Sequence, residues 1–356
     1  MQIVKNMLTS DSNKGPYMKP FVVLLLPLVL VGCGTSEGNA IAAIEKLGGR
    51  VYLDADSGEV VEVGLSGTWI TDSGLEHLKG LASLTHLDLN LNSRPITDAG
   101  LVHLKGLTGL TTLSLRDTKI AGSGLAHLNG LTSLTGLDLS GTEITDAGLE
   151  HLKGLTSLTT LSLCDTQITG AGLEHLKGLT SLTSLSLDDS QITDAGLKFL
   201  QGLTSLTYLG LSGTQITDSG LVHLKGLTSL TGLFLLNTRI EGVGLKHLKE
   251  MTSLTDLYLG FTQTNDAGLE QLKRMTSLTK LHVSRTQITD AGLKHLKGLT
   301  SLVELNLNVT QITDVGLEHL KGLTSLRELD LVSTQVTDAG LSEIKAALPK
   351  CEVDGR

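Results

Sequence analysis

Nine histidines recur at one position of this chain: His77, His103, His127, His151, His175, His223, His247, His295 and His319. Nine aspartates form a second row: Asp72, Asp98, Asp146, Asp194, Asp218, Asp266, Asp290, Asp314 and Asp338. Rows of imidazoles or carboxylates could hold zinc or calcium. Equivalent residues on neighbouring helices, however, lie up to ~10 Å apart, too far for one ion with ligands at ~2 Å. The histidine row is broken by Phe199, Gln271 and Glu343, and a phenylalanine there points to packing on a half-buried flank. The aspartate row is broken only by Gly122, Gly170 and Gly242. Asp and Gly are both helix N-caps, and Gly offers a metal nothing, so this row is expected to cap helices.

No nucleophile elbow, Walker motif, His-Glu-x-x-His or paired cysteine motif occurs. Catalysis needs a unique constellation, whereas Ser, His and Asp here recur by position. A non-catalytic chain without metal or cofactor is expected. Cys164 and Cys351 stand seven repeats apart, roughly 30 Å at ~4.8 Å per strand, too far for a disulfide.

The element that positions every one of these residues is a 24-residue repeat. Ile168 has equivalents at Ile70, Ile96, Ile120, Ile144, Ile192, Ile216, Ile240, Thr264, Ile288, Ile312 and Val336, twelve units with one longer first step of 26. Such a period predicts a solenoid in which each unit buries its apolar face against its neighbours. Within a unit, Leu161 and Leu163 alternate with polar residues, as a short strand does. Leu173 and Leu176 then share a helical face, and Gly178 ends the helix. Glycine fills the Gly74 position in every unit to Gly340, which implies close backbone approach or a positive φ.

The pattern, with segments such as Ile144-Thr145-Asp146-Ala147-Gly148-Leu149, resembles the strand-plus-helix subtypes of the leucine-rich repeat family. The resemblance implies an α/β solenoid of about twelve repeats that curves, with parallel strands on the concave face and helices on the convex face. Thr118, Thr142, Thr166, Ser190 and Thr214 stand where the family usually has Asn, and their hydroxyls are expected to bond to the turn backbone instead. The expected organisation is an array over 64–341, with an N-terminal cap at 39–63 and a C-terminal cap at 342–356. The N-terminal cap should hold a helix over Ala40–Leu47 and strands at Val51–Leu53 and Val60–Val63.

Net charge is −9 over 356 residues, the wrong sign for tracking phosphates. Lys14 and Lys19 precede an apolar run from Phe21 to Val31, too short to span a bilayer as a helix. The run ends Leu30-Val31-Gly32-Cys33, which resembles the lipobox of bacterial lipoproteins. That resemblance implies a signal peptide over 1–32, translated from Met1 or Met18, and a lipid on Cys33. A tether over 33–38 would then hold the array at a membrane of the bacterial cell envelope, on its periplasmic or surface face.

Function should live where the copies differ. Units seven to nine place Tyr208, Phe234, Leu236, Tyr258 and Phe261 at strand-flanking positions that other units fill with Ser, Gly, Thr or Asp. After the signal segment the chain has seven aromatic residues, and four fall there. Lys280, His282, Arg285 and Arg239 border them on one side, and Asp188 and Asp189 on the other. An aromatic centre with a charged rim suits a protein or peptide partner. A glycan or cell-wall polymer stacking on the rings is the alternative, and a third reading is that the rings merely pack on each other across adjacent strands. A monomer that binds a protein on its concave face is expected.

Overall fold

The computed structural model describes residues 36–90 and 96–355. The signal segment, Cys33 and the two-residue insertion near Pro95 lie outside the described residues. A hairpin opens the array: β1 (Arg50–Leu53) runs antiparallel to β2 (Val60–Gly64). From β2 onward every neighbouring pair is parallel, through β3 (His86–Asp88) to β13 (Glu328–Asp330) and β14 (Glu352–Asp354). Among the described residues the result is one open 14-stranded sheet in strict sequence order, an α/β solenoid.

Each repeat strand is three residues long. Its middle leucine is buried, and the residues on either side face out. Leu161, Leu163, Ile168, Leu173 and Leu176 are all at most 1 % exposed, so one unit supplies the whole cross-section of the core. The sole polar member of the Ile168 row, Thr264, is equally buried, and its hydroxyl meets that of Thr262 at 2.8 Å.

The helices are shorter and tighter than the sequence suggests. Most are 3-10 turns, such as Ser73–Leu78 and Gly172–Leu176, or one α turn followed by a 3-10 turn, such as Asp146–Leu149 and Glu150–Leu152. A glycine near the start of each helix disfavours a longer α run, and the 24-residue unit leaves little chain for one. The helix before the hairpin covers Ser36–Lys46 and packs on β1 and the first 3-10 turn. It starts four residues earlier than the expected cap helix, so residues 36–38 are helical rather than tether. Glu37 fixes that start by accepting the N–H of Val60 at 2.9 Å.

The buried hydroxyl row behaves as its chemistry requires. Thr118, Thr142, Thr166, Ser190 and Thr214 each donate to the carbonyl three residues back, for example Thr166 Oγ1 to Leu163 O at 2.7 Å.

The aspartates do not cap their own helices. In several units the residue before them does: Thr97, Thr289 and Thr313 accept the N–H two residues on, whereas Thr145 and Thr193 make no such bond. The aspartate reaches sideways instead. Asp146 Oδ1 accepts the N–H of Thr169 at 2.7 Å and its Oδ2 accepts the Thr169 hydroxyl at 2.6 Å. The same pair of bonds joins Asp194 to Thr217, Asp266 to Thr289 and Asp290 to Thr313. Each carboxylate is therefore a staple between consecutive coils. The recurring glycine makes room for it, by close approach and not by positive φ.

Candidate binding surface

The outward residues of the strands form two straight rows, because every parallel pair keeps the same register. One row runs Tyr208, Gly232, Asp256, Lys280, Glu304, through β8 (Tyr208–Gly210), β9 (Gly232–Phe234), β10 (Asp256–Tyr258), β11 (Lys280–His282) and β12 (Glu304–Asn306). The other runs Gly210, Phe234, Tyr258, His282, Asn306. Strands ~4.8 Å apart place rings in one row at stacking distance.

They do stack. Ring centroids lie 4.7 Å apart for Tyr208 and Phe234, 4.5 Å for Phe234 and Tyr258, and 4.2 Å for Tyr258 and His282. Phe234 and Tyr258 are near parallel, at 15°. Tyr208 belongs to the other row, and Phe234 reaches it by leaning over its own strand. The Phe234 ring lies 3.1 Å from where a Cβ on Gly232 would stand, so glycine there leaves the ring room to lean toward Tyr208, and a larger residue would press on it. The four rings are half-buried, and their inner faces are covered by one another.

His282, expected at the rim, is thus the fourth ring of the column. Its Nε2 meets Glu304 Oε1 at 2.6 Å, and Lys280 Nζ lies 3.1 Å from Glu304 Oε2. The bond from His282, together with the Lys280 ammonium, holds the Glu304 carboxyl down to about 2. Burial first, and then Asp188, push the Tyr208 phenol up to about 12. Burial also raises the Tyr258 phenol, with Glu304 and Asp256 adding to it. Both hydroxyls are therefore protonated donors at neutral pH.

Phe261 and Arg285 sit one turn beyond their strands, in left-handed backbone at φ 59° and 52°. Their N–H groups donate to Ser284 O and Asn308 O of the next unit, each at 2.8 Å. Equivalent positions hold Asp117, Asp165, Asp189 and Asn237, residue types that tolerate this conformation better, but also Val309 and Ser333. The Arg285 guanidinium covers the Phe261 ring at 5.1 Å, and that ring is 37 % exposed. Leu236 is half-buried beside Gly260, its Cδ2 being 3.1 Å from where a Cβ there would stand. Arg239 is separate from these. It lies past the turn, in a second row of isolated bridges where it pairs with Thr217.

On the other flank, Asp189 is exposed and Asp188 is half-buried. Asp188 Oδ1 accepts the N–H of Ser212 at 2.7 Å, and Cys164 Sγ lies 3.7 Å from Oδ2. Burial raises the Asp188 carboxyl and the Cys164 thiol, and it raises the Cys351 thiol to about 11. Neither cysteine has the thiolate character of a nucleophile. The histidine row is half-buried along the helix flank. Among the described residues no group of three or more His, Cys, Asp or Glu is placed to hold a metal ion.

The family profile described as leucine rich repeat matches residues 156–216 and 276–336, and a second profile of that description matches 80–104 and 130–153. No curated protein matches the chain in sequence. Among solved structures the chain is similar to an internalin (inlF) from Listeria monocytogenes, at 28 % identity and TM-score 0.66, covering 89 % of this chain and 93 % of that one. It shares its fold with a leucine-rich repeat protein of Leptospira interrogans, at 22 % identity and TM-score 0.62, covering 78 % and 80 %. It shares the fold also with a chain of an octameric complex of Latrophilin 3, Unc5D and FLRT2, at 20 % identity and TM-score 0.53, covering 70 % and 84 %. The repeat matches over these segments and the open, parallel-stranded architecture together show the fold of a leucine-rich repeat solenoid.

Proposed function

We propose that the chain is a non-catalytic scaffold that binds a protein on the outward, concave face of its sheet, with the partner centred on Tyr208, Phe234 and Tyr258. The observation that carries this reading is the ring column. It is built from the departures of three consecutive units, Gly232 leaves its rings room, and none of the three rings belongs to the buried core. Half-buried aromatic anchors beside charged groups are the usual centre of a protein interface. The FLRT2 complex supports the mode of use only through shared fold.

The column argues against a stacking glycan. A sugar ring needs an open aromatic face, and here neighbouring rings cover each other's faces at 4.2–4.7 Å. Lipid on Cys33, after the Leu30-Val31-Gly32 run, would hold the scaffold at a bacterial envelope membrane. Mass spectrometry of the N-terminal peptide tests it, and an unmodified Cys33 refutes it. Binding is tested by replacing Tyr208, Phe234 and Tyr258 with alanine. Capture of the partner should be lost while the circular dichroism spectrum stays unchanged.

A further inference from the structure

Beyond the ring column, the outward rows of the sheet turn acidic. Glu304, Glu328 and Glu352 stand in direct register on β12, β13 and β14, and Asp330 and Asp354 are register partners one row across. Glu304 is occupied within the chain by His282 and Lys280. Glu328 and Glu352 are exposed, and neither joins an ion pair among the described residues. Asp330 accepts the Asn306 amide at 2.7 Å, a neutral partner. Like charges directly opposite on neighbouring strands repel. Folding alone gives no reason to align three glutamates, since Thr, Ser and Gly fill the glutamate position in earlier units; the Asp330 position holds Ser on two of those strands and Asp138 on the third.

We infer that the occupant of this face is a cationic, extended protein segment. Its apolar side chains would rest against Tyr208, Phe234 and Tyr258, and its Lys or Arg side chains over Glu328, Asp330 and Glu352. From Phe234 to Glu352 the face crosses five strand steps, roughly 24 Å at ~4.8 Å each. That length matches seven or eight extended residues at ~3.3 Å. The inference rests on the reading of this face as the binding surface, and it adds the partner's chemistry and direction.

The test uses the full chain and a fluorescein-labelled ten-residue peptide, leucine-rich in its first half and lysine-rich in its second. Matched peptides carry glutamate or glutamine for lysine, and binding is read by fluorescence anisotropy. The lysine peptide should bind, and should weaken tenfold or more both in 0.5 M salt and with Glu328→Gln/Glu352→Gln. Exposed acids off this face, changed as Glu76→Gln/Glu241→Gln, alter net charge equally and should leave affinity within twofold. No binding of the lysine peptide, equal binding of the glutamate or glutamine peptide, or equal weakening by the off-face pair overturns the inference. If the alanine triple variant abolishes binding while the charge variants do not, the face stands and the cationic assignment fails. If every variant binds as the unchanged chain does, both fail.

Discussion

The Oδ1 of Asp72 lies 2.5 Å from where a Cβ on Gly100 would stand. The carboxylate is held there by the Thr97 N–H at 2.8 Å and the Thr97 hydroxyl at 2.5 Å, so it cannot move aside without breaking the staple. Gly100→Ala should therefore cost the array about 2 kcal/mol or more. Gly74 begins the row with no aspartate of an earlier unit against it, and a Cβ there meets side chains alone, Ile70 at 3.0 Å and Leu47 at 3.7 Å. Gly74→Ala should cost less, and Gly154→Ala, with open space around it, close to nothing. Urea midpoints of the three variants check the order, and equal losses would refute the staple.

The buried hydroxyl row can be tested at Thr166. Valine keeps the shape but leaves Leu163 O without its 2.7 Å donor, a loss of about 1–3 kcal/mol. Thr166→Ser should cost less, because Ser190 already plays this part.

Acid should act through Glu304. Its folded carboxyl is held from 4.5 down to about 2, mainly by the bond from His282. Its stabilisation is thus complete above about 4.5 and is lost as pH falls toward about 2, an upper figure of about 3 kcal/mol at 1.36 kcal/mol per pH unit. Burial raises Asp188 and Asp330, which act in the opposite direction and favour the folded state as they protonate. Glu304→Gln should flatten the fall in stability between pH 4.5 and 2. An unchanged acid limb would show that the cluster carries no such weight.

Phe261 separates binding from folding. Asparagine accepts φ 59° at less cost than phenylalanine, while the Arg285 contact at 5.1 Å would be lost at about 0.5–1 kcal/mol. Phe261→Asn should leave the urea midpoint unchanged or higher, and weaken capture of the partner. A fall in stability of more than about 1 kcal/mol would mean that the ring serves the fold.

Much of this was legible from one unit of sequence. Alternating Leu161 and Leu163, the Leu173–Leu176 spacing and the fixed period define strand, turn and core. The role of Asp146 was not legible there. Within its own unit it stands where an N-cap would, and its true partner, Thr169, is 23 residues away in the next coil. Gly122 and Gly242 do stand at helix N-caps, but Gly122 also faces the Cα of Gly148 at 2.7 Å from its would-be Cβ, a backbone contact in place of a carboxylate. The rings of units seven to nine stood out as departures from the register. Gly232 gives their stacking room, but a missing side chain carries no signal until the strands are aligned. Arg239 was grouped with the rim by sequence proximity, but the turn after β9 carries it into a different row.

The most direct measurement is affinity capture from native membranes with the full chain, its alanine triple variant at Tyr208, Phe234 and Tyr258, and a convex-side His175→Ala control. A specific protein partner should be recovered with the unchanged chain and with His175→Ala, and lost with the triple variant, all three giving the same circular dichroism spectrum. Recovery of that partner at full strength by a folded triple variant would contradict binding on the ring column.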